Sequence, residues 1–182
     1  MAYQKIIKIP DGVTVSMDGS ALSVKGKKGE LKKEFRHPRA KLKLAEKEIT
    51  VSTASENKKD WAIVGTWNSL ITSMITGVQH EYTSSLKLIY THFPITVKVV
   101  GNEIHMTNFL GEKSPRIARI TGNVKVNAQK ESITVTGIDK YSVGQTAASI
   151  ETLGRNKRKK DTRIFQDGAY ITIKARPVGE VK

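Results

Sequence analysis

Apolar and polar residues alternate with a period of two along most of this chain, and a longer period interrupts the alternation twice. Val13-Thr14-Val15-Ser16-Met17, then Asp18-Gly19, then Leu22-Ser23-Val24 predicts a β-hairpin, because Asp-Gly supplies the positive φ angles of a tight turn. Gly101-Asn102 does the same between residues 95–100 and 104–106. Leu42-Lys43-Leu44, then Glu46-Lys47-Glu48, then Ile49-Thr50-Val51 predicts a further hairpin, matched by residues 124–126 and 133–135. The first longer period is the stripe Val64, Trp67, Ile71, Met74, Ile75 and Val78, which predicts an amphipathic helix with Gly77 near its end. The second is Val143, Ala147, Ile150 and Leu153, a helix N-capped by Asp139 and stopped by Gly154. Trp61 and Trp67 interleave with the first stripe and read as core. A last strand is expected over residues 169–174.

The order of these elements repeats. Shifted by 82, residues 4–30 fall without a gap on 86–112, with Lys5/Lys87, Ile7/Ile89, Thr14/Thr96, Val15/Val97, Gly19/Gly101, Gly29/Gly111 and Glu30/Glu112 identical. Ile49-Thr50-Val51 returns as Ile133-Thr134-Val135, and Val64-Gly65 as Val143-Gly144. The expected fold is α+β: two similar domains from an internal duplication, each an antiparallel-rich sheet packed on one helix. The first copy is expected over residues 1–81 and the second, with a basic tail, over 82–182.

Composition narrows what such a fold can do. The 182 residues carry 31 Lys and Arg against 17 Asp and Glu, a formal charge of +14. Nine of the cations fall in residues 25–43 against Glu30 and Glu34, and six in residues 155–163 against Asp161. Two short segments thus hold most of the excess, the footprint expected of a polyphosphate partner. No run of 18 apolar residues predicts a membrane span, and Met1-Ala2-Tyr3-Gln4-Lys5 lacks the apolar core of a secretory signal. With no cysteine, disulfides, Cys-based zinc sites and thiol nucleophiles drop out together. The expectation is a soluble cytoplasmic protein that binds nucleic acid.

Candidate chemistry is sparse. His37, His80, His92 and His105 share no metal-ligand spacing, so neither metal nor cofactor is expected. No Ser or Thr pairs with a His and an acid in an order that defines a triad, and no enzyme activity is expected. Gly111-Glu112-Lys113-Ser114 lacks the earlier glycine and the Gly-Lys pair of a phosphate loop. Glu151, Asp161 and Asp167 lie among cations and are expected to balance them. Gly26-Lys27-Lys28-Gly29 reads as a hairpin tip, either a phosphate contact or a solubilising turn. The run Arg155, Lys157, Arg158, Lys159, Lys160 and Arg163 exceeds the one or two cations that a helix C-terminus uses. Held between a helix end and a strand, it is the leading candidate for RNA contact.

The motifs Asn108-Phe109-Leu110-Gly111-Glu112-Lys113, Val143-Gly144-Gln145-Thr146-Ala147-Ala148-Ser149-Ile150 and Asp161-Thr162-Arg163-Ile164-Phe165-Gln166-Asp167-Gly168-Ala169-Tyr170 resemble the large-subunit ribosomal protein six family. The likeness runs from about residue 5 to 177, and the Arg-x-Phe-x-Asp-Gly-x-Tyr tail is similar to the archaeal and eukaryotic branch. The bacterial Tyr-Lys-Gly-Lys-Gly stretch is absent. The resemblance implies a non-catalytic ribosomal protein bound to large-subunit rRNA near the sarcin–ricin region and stalk base, beside neighbouring ribosomal proteins and in transient proximity to translation factors. It implies rRNA contact by Arg155, Lys157, Arg158, Lys159, Lys160 and Arg163. Lys113, Arg116 and Arg119, in a loop after Gly111, and Lys174 and Arg176, in the last strand, are further candidates. Lys25, Lys27, Lys28, Lys32 and Lys33 are expected to face rRNA or a neighbouring protein.

Overall fold

A computed structural model describes residues 3–45, 47–156, 161 and 163–179. The chain divides into two compact units, Met1–Glu81 and Tyr82–Lys182. The first holds six strands, β1 (Tyr3–Lys8), β2 (Thr14–Asp18), β3 (Ala21–Gly26), β4 (Gly29–Glu34), β5 (Ala40–Leu44) and β6 (Glu48–Thr53), then helix α1 (Lys58–Gln79). The second repeats that order with β7 (Tyr82–Ile89), β8 (Thr96–Val100), β9 (Glu103–Thr107), β10 (Arg116–Arg119), β11 (Val124–Ala128), β12 (Ser132–Gly137) and α2 (Lys140–Leu153), then adds β13 (Gly168–Pro177). The fold is α+β and duplicated.

Each copy divides its strands between two antiparallel sheets rather than one. The first copy has β1-β6-β5 and β2-β3-β4; the second has β11-β12-β7-β13 and β10-β9-β8. Three prolines sit where the chain changes sheet, Pro10 before β2, Pro94 before β8 and Pro38 before β5. Lacking an N–H, proline cannot continue a ladder, so it marks the corners. Both helices start on the expected kind of cap. Asn57 Oδ1 accepts from the Lys59 N–H, and the Asp139 carboxylate accepts from the Tyr141 and Ser142 N–H groups. The α1 stripe is buried as expected: Val64 and Ile71 are sealed, and Trp67 meets Phe35 edge-on at 5.5 Å. Trp61 is only half-buried; it stacks on Tyr3 at 5.3 Å while its Nε1–H donates to the Ser55 carbonyl. In the second copy Leu86, Ile104, Met106, Phe109, Ile133, Val135, Val143 and Ile150 close the core. Burying each such side chain stabilises by about 1.5–3 kcal/mol.

The gapless shift of 82 holds for β2 and β3 but not for their neighbours. Ile7 pairs with Ile49, and Leu86 pairs with Ile133, which is the counterpart of Ile49 in the repeated Ile-Thr-Val. Leu86, not Ile89, is therefore the structural partner of Ile7; both are buried, whereas Ile89 is exposed. Leu86 and Ile89 are three residues apart, an odd number, and strand side chains alternate between faces, so the gapless alignment would turn the core outward here. The connection before β8 absorbs the difference. Likewise Leu31 pairs with Val24 and Arg116 with Met106, which makes Arg116 the counterpart of Leu31. Gly111 and Glu112 fall instead in a 3-10 turn over Phe109–Gly111 and its cap.

Candidate nucleic-acid interface

The second copy builds its basic segment between two fixed points. α2 ends at Gly154, whose N–H donates to the Ile150 carbonyl, because the next turn would run into β13. A Cβ on Gly154 would lie 2.4 Å from the Ala169 nitrogen, so only glycine permits this approach. The second fixed point is Asp167, which is buried. Its Oδ1 accepts from the Thr91 N–H at 2.6 Å, and its Oδ2 lies 3.3 Å from His92 Nδ1. The His92 ring packs against Phe165, with ring centres 4.9 Å apart. Burial pushes the Asp167 carboxyl up, but the Thr91 and His92 N–H groups and the His92 ring outweigh it and hold it below the ordinary value. Asp167, expected from the sequence to balance cations, instead anchors the chain to the loop after β7. Glu151 likewise takes a backbone N–H, that of Ile171 at 3.1 Å.

Between these points Arg155 is exposed, and Lys157, Arg158, Lys159 and Lys160 lie outside the described residues. Arg163 is 88% exposed along its side chain but clamps Asp161, with Nη2 2.7 Å from Oδ2. The hydrogen bonds between them hold the Asp161 carboxyl down and raise Arg163. Asp161 therefore offsets the charge of Arg163.

Arg116 does not sit in a loop; it belongs to β10 and is committed. Its Nε and Nη2 donate to Glu112 at 2.7 and 2.6 Å, and Nη1 donates to the Leu153 and Arg155 carbonyls at 2.6 and 3.0 Å. The guanidinium also lies 4.0 Å over the Phe109 ring. Arg116 supplies the cation that satisfies the carbonyl end of α2. Arg119, three residues on in the same strand, is 88% exposed and 3.8 Å from Glu103 Oε1. Lys113 is exposed in the turn before β10, and Lys174 and Arg176 point from the exposed side of β13.

In the first copy Lys25, Lys27, Lys28, Lys32 and Lys33 are exposed on β3, β4 and their turn. The turn nevertheless docks on its own helix. Lys28 N–H donates to the Val78 carbonyl at 3.0 Å, and Lys28 Nζ lies 3.7 Å from Glu81. Gly26 is needed there, since a Cβ would stand 2.8 Å from the Val78 carbonyl oxygen. His37 Nδ1 accepts from the Arg39 and Ala40 N–H groups, and the buried Asp60 receives Arg39 at 3.4 Å. Hydrogen bonding from Ser55 and then Arg39 holds Asp60 low. Among the described residues no three His, Asp or Glu side chains gather as metal ligands do, and no helix is long and apolar enough to cross a membrane.

The structure defines a duplicated α+β protein with exposed cations on both copies. Comparison with known proteins agrees and is more particular. The family model of ribosomal protein L6 matches residues 9–81 and 93–168, one match to each copy. Large ribosomal subunit protein uL6 of Methanospirillum hungatei is 43% identical over 96% of this chain and 99% of its own length. The uL6 proteins of Methanocella arvoryzae and Methanosphaera stadtmanae are 45% and 49% identical over 96% and 93% of this chain, and 100% and 92% of their own lengths. The chain belongs to the ribosomal protein L6 family. It is a structural, non-enzymatic ribosomal protein of archaeal type, and its place is the ribosome in the cytoplasm.

Proposed function

We propose that this chain is a constituent of the large ribosomal subunit that grips large-subunit rRNA through the segment joining α2 to β13. The reading extends to the sarcin–ricin region and stalk base as the site of contact, with neighbouring ribosomal proteins alongside and translation factors close by. The observation that carries it is the mounting of residues 155–163: Gly154 against Ala169 at one end, Asp167 on Thr91 and His92 at the other. Fixed ends reduce the entropy lost when the cations between them meet phosphates. Arg155, Lys157, Arg158, Lys159 and Lys160 are the principal contacts. Lys113, Arg119, Lys174 and Arg176 extend the basic surface on the same unit, while Arg163 keeps its place by pairing with Asp161. Phosphate contacts position the protein, and the tertiary shape of the rRNA supplies selectivity.

Neutralising about six phosphates gives a slope of log K against log salt of roughly −4 to −5. Binding to an rRNA fragment containing the sarcin–ricin region, measured beside an unrelated structured RNA of equal length, tests the reading. A preference for the first that survives rising salt supports it. Equal affinities that collapse together overturn the specific contact and leave a general polycation.

A further inference from the structure

The two copies differ at one sheet edge. In the second copy β13 lies antiparallel along β7, with Tyr170 opposite Lys87, Ile173 opposite Ser85 and Arg176 opposite Thr83. In the first copy the corresponding edge belongs to β1, and among the described residues no strand pairs with it. The orientation of its backbone follows from one hydrogen bond. Ile9 N–H donates to the Lys47 carbonyl, so in this antiparallel register Ile7, Lys5 and Tyr3 direct their N–H and C=O toward β6. Gln4, Ile6 and Lys8 therefore turn theirs to the open edge. By the same rule Leu88, bonded to Glu131, puts Lys87, Ser85 and Thr83 on the β13 side. Gln4, Ile6 and Lys8 are thus the counterparts of the residues that β13 covers.

The side chains add a second observation. Ile6 is 54% exposed at this open edge, where the paired edge of β7 carries Ser85. An exposed isoleucine on an edge that no strand covers among the described residues is what edge strands ordinarily avoid.

We propose that the β1 edge receives an extended segment of a neighbouring protein in the large subunit, antiparallel to β1, as β13 does on β7. The occupant is a polypeptide because the edge offers alternating donors and acceptors about 6.8 Å apart, a repeat that a strand matches and a ribose-phosphate backbone, without amide donors, does not. Cross-strand pairing asks it for an apolar side chain opposite Ile6 and an acidic one opposite Lys8. The inference rests on the large-subunit reading above.

The test places a benzophenone photocrosslinker at Gln4 in the full chain, assembles it into large subunits and identifies what is captured. Capture of a protein segment is expected. It should fall at least tenfold when Ile6→Pro is added, since proline removes only an N–H that the fold does not use, and the free Ile6→Pro chain should keep its circular dichroism. Crosslinks to RNA alone, or none, overturn the proposal, as does capture of a second copy of this chain. Unfolding of the free Ile6→Pro chain overturns it too, because the Ile6 N–H would then belong to the ladder. A chain that stays out of the subunit brings down the large-subunit reading, and this inference with it.

Discussion

The two copies end their helices against the same kind of obstacle but use it to opposite effect. In the first, the turn between β3 and β4 comes to the helix: Gly26 touches Val78, Lys28 N–H takes the Val78 carbonyl, and the lysine head leans toward Glu81. In the second, β13 passes the helix end where Gly154 meets Ala169. Arg116 then satisfies the last carbonyls from the side. A basic turn engaged with its own helix is partly withdrawn from any partner. The segment of residues 155–163 is the one proposed above to meet rRNA, and the residues flanking it, Gly154 and Asp167, are held in place. On the proposed reading the same module serves as frame in one copy and as grip in the other, and the two copies differ in what closes the helix.

The sharpest way to break this comparison is to neutralise each copy in turn. Changing Lys157, Arg158, Lys159 and Lys160 together to alanine should weaken rRNA binding on the order of a hundredfold at low salt and flatten the salt slope by about 3. Changing Lys27, Lys28, Lys32 and Lys33 together should cost less than about tenfold. Filter binding across a salt series reads both. Equal losses would mean that the two copies grip alike.

Next in size is the glycine at the end of α2. Gly154→Ala forces a Cβ to within 2.4 Å of backbone, and overpacking of this kind costs about 2–3 kcal/mol. Gly144→Ala, in the same helix with nothing within 4 Å of the added carbon, should stabilise by about 0.5–1 kcal/mol. Urea denaturation of both variants decides whether crowding at the helix end, rather than helix propensity, sets the difference.

The other anchor is sensitive to acid. Asp167→Asn should cost roughly 2 kcal/mol by weakening charge-assisted hydrogen bonds to Thr91 and His92. The folded-state carboxyl titrates below its ordinary value, so its contribution is complete above about pH 4 and fades as pH falls through the lower folded value. Stability of the parent chain measured from pH 7 down to pH 2 should show this loss, and Asp167→Asn should show less of it.

Much of this was legible in the chain because the signals are local. Gly19 makes the expected turn at φ 60°, with Ser20 rather than Asp18 as its other turn residue, Asp139 caps α2, and Gly154 stops it. The doubled order of elements was legible too, since repetition needs no knowledge of packing. The true register of the repeat was not. Lys5/Lys87 and Ile7/Ile89 are identities in sequence, yet Ile89 faces solvent where Ile7 faces the core. Only the pairing with the repeated Ile-Thr-Val shows that Leu86 is its counterpart. Asp167 failed for a similar reason. Its nearest cation in sequence is Arg163, four residues earlier, whereas its partners in space lie about 75 residues earlier. Long-range contacts leave no periodic trace.

Arg116 and Arg119 give the finest form of the comparison, because two residues of one strand separate the structural cation from the displayed one. Arg116 uses four of its N–H groups on Glu112, Leu153 and Arg155, and its side chain is only 16% exposed. Arg116→Ala should therefore cost about 1–2 kcal/mol of stability through lost hydrogen bonds and packing on Phe109, with the salt slope of RNA binding unchanged. Arg116→Lys should recover little, since an ammonium cannot bridge a carboxylate and two carbonyls as a planar fork does. Arg119→Ala should leave stability within about 0.5 kcal/mol, as an exposed pair at 3.8 Å contributes little. If Arg119 meets a phosphate, the same change flattens the slope by about 0.7–0.9. Stability and salt slope measured on both variants should thus move in opposite pairs, and a slope that responds to Arg116 instead would return that residue from the frame to the grip.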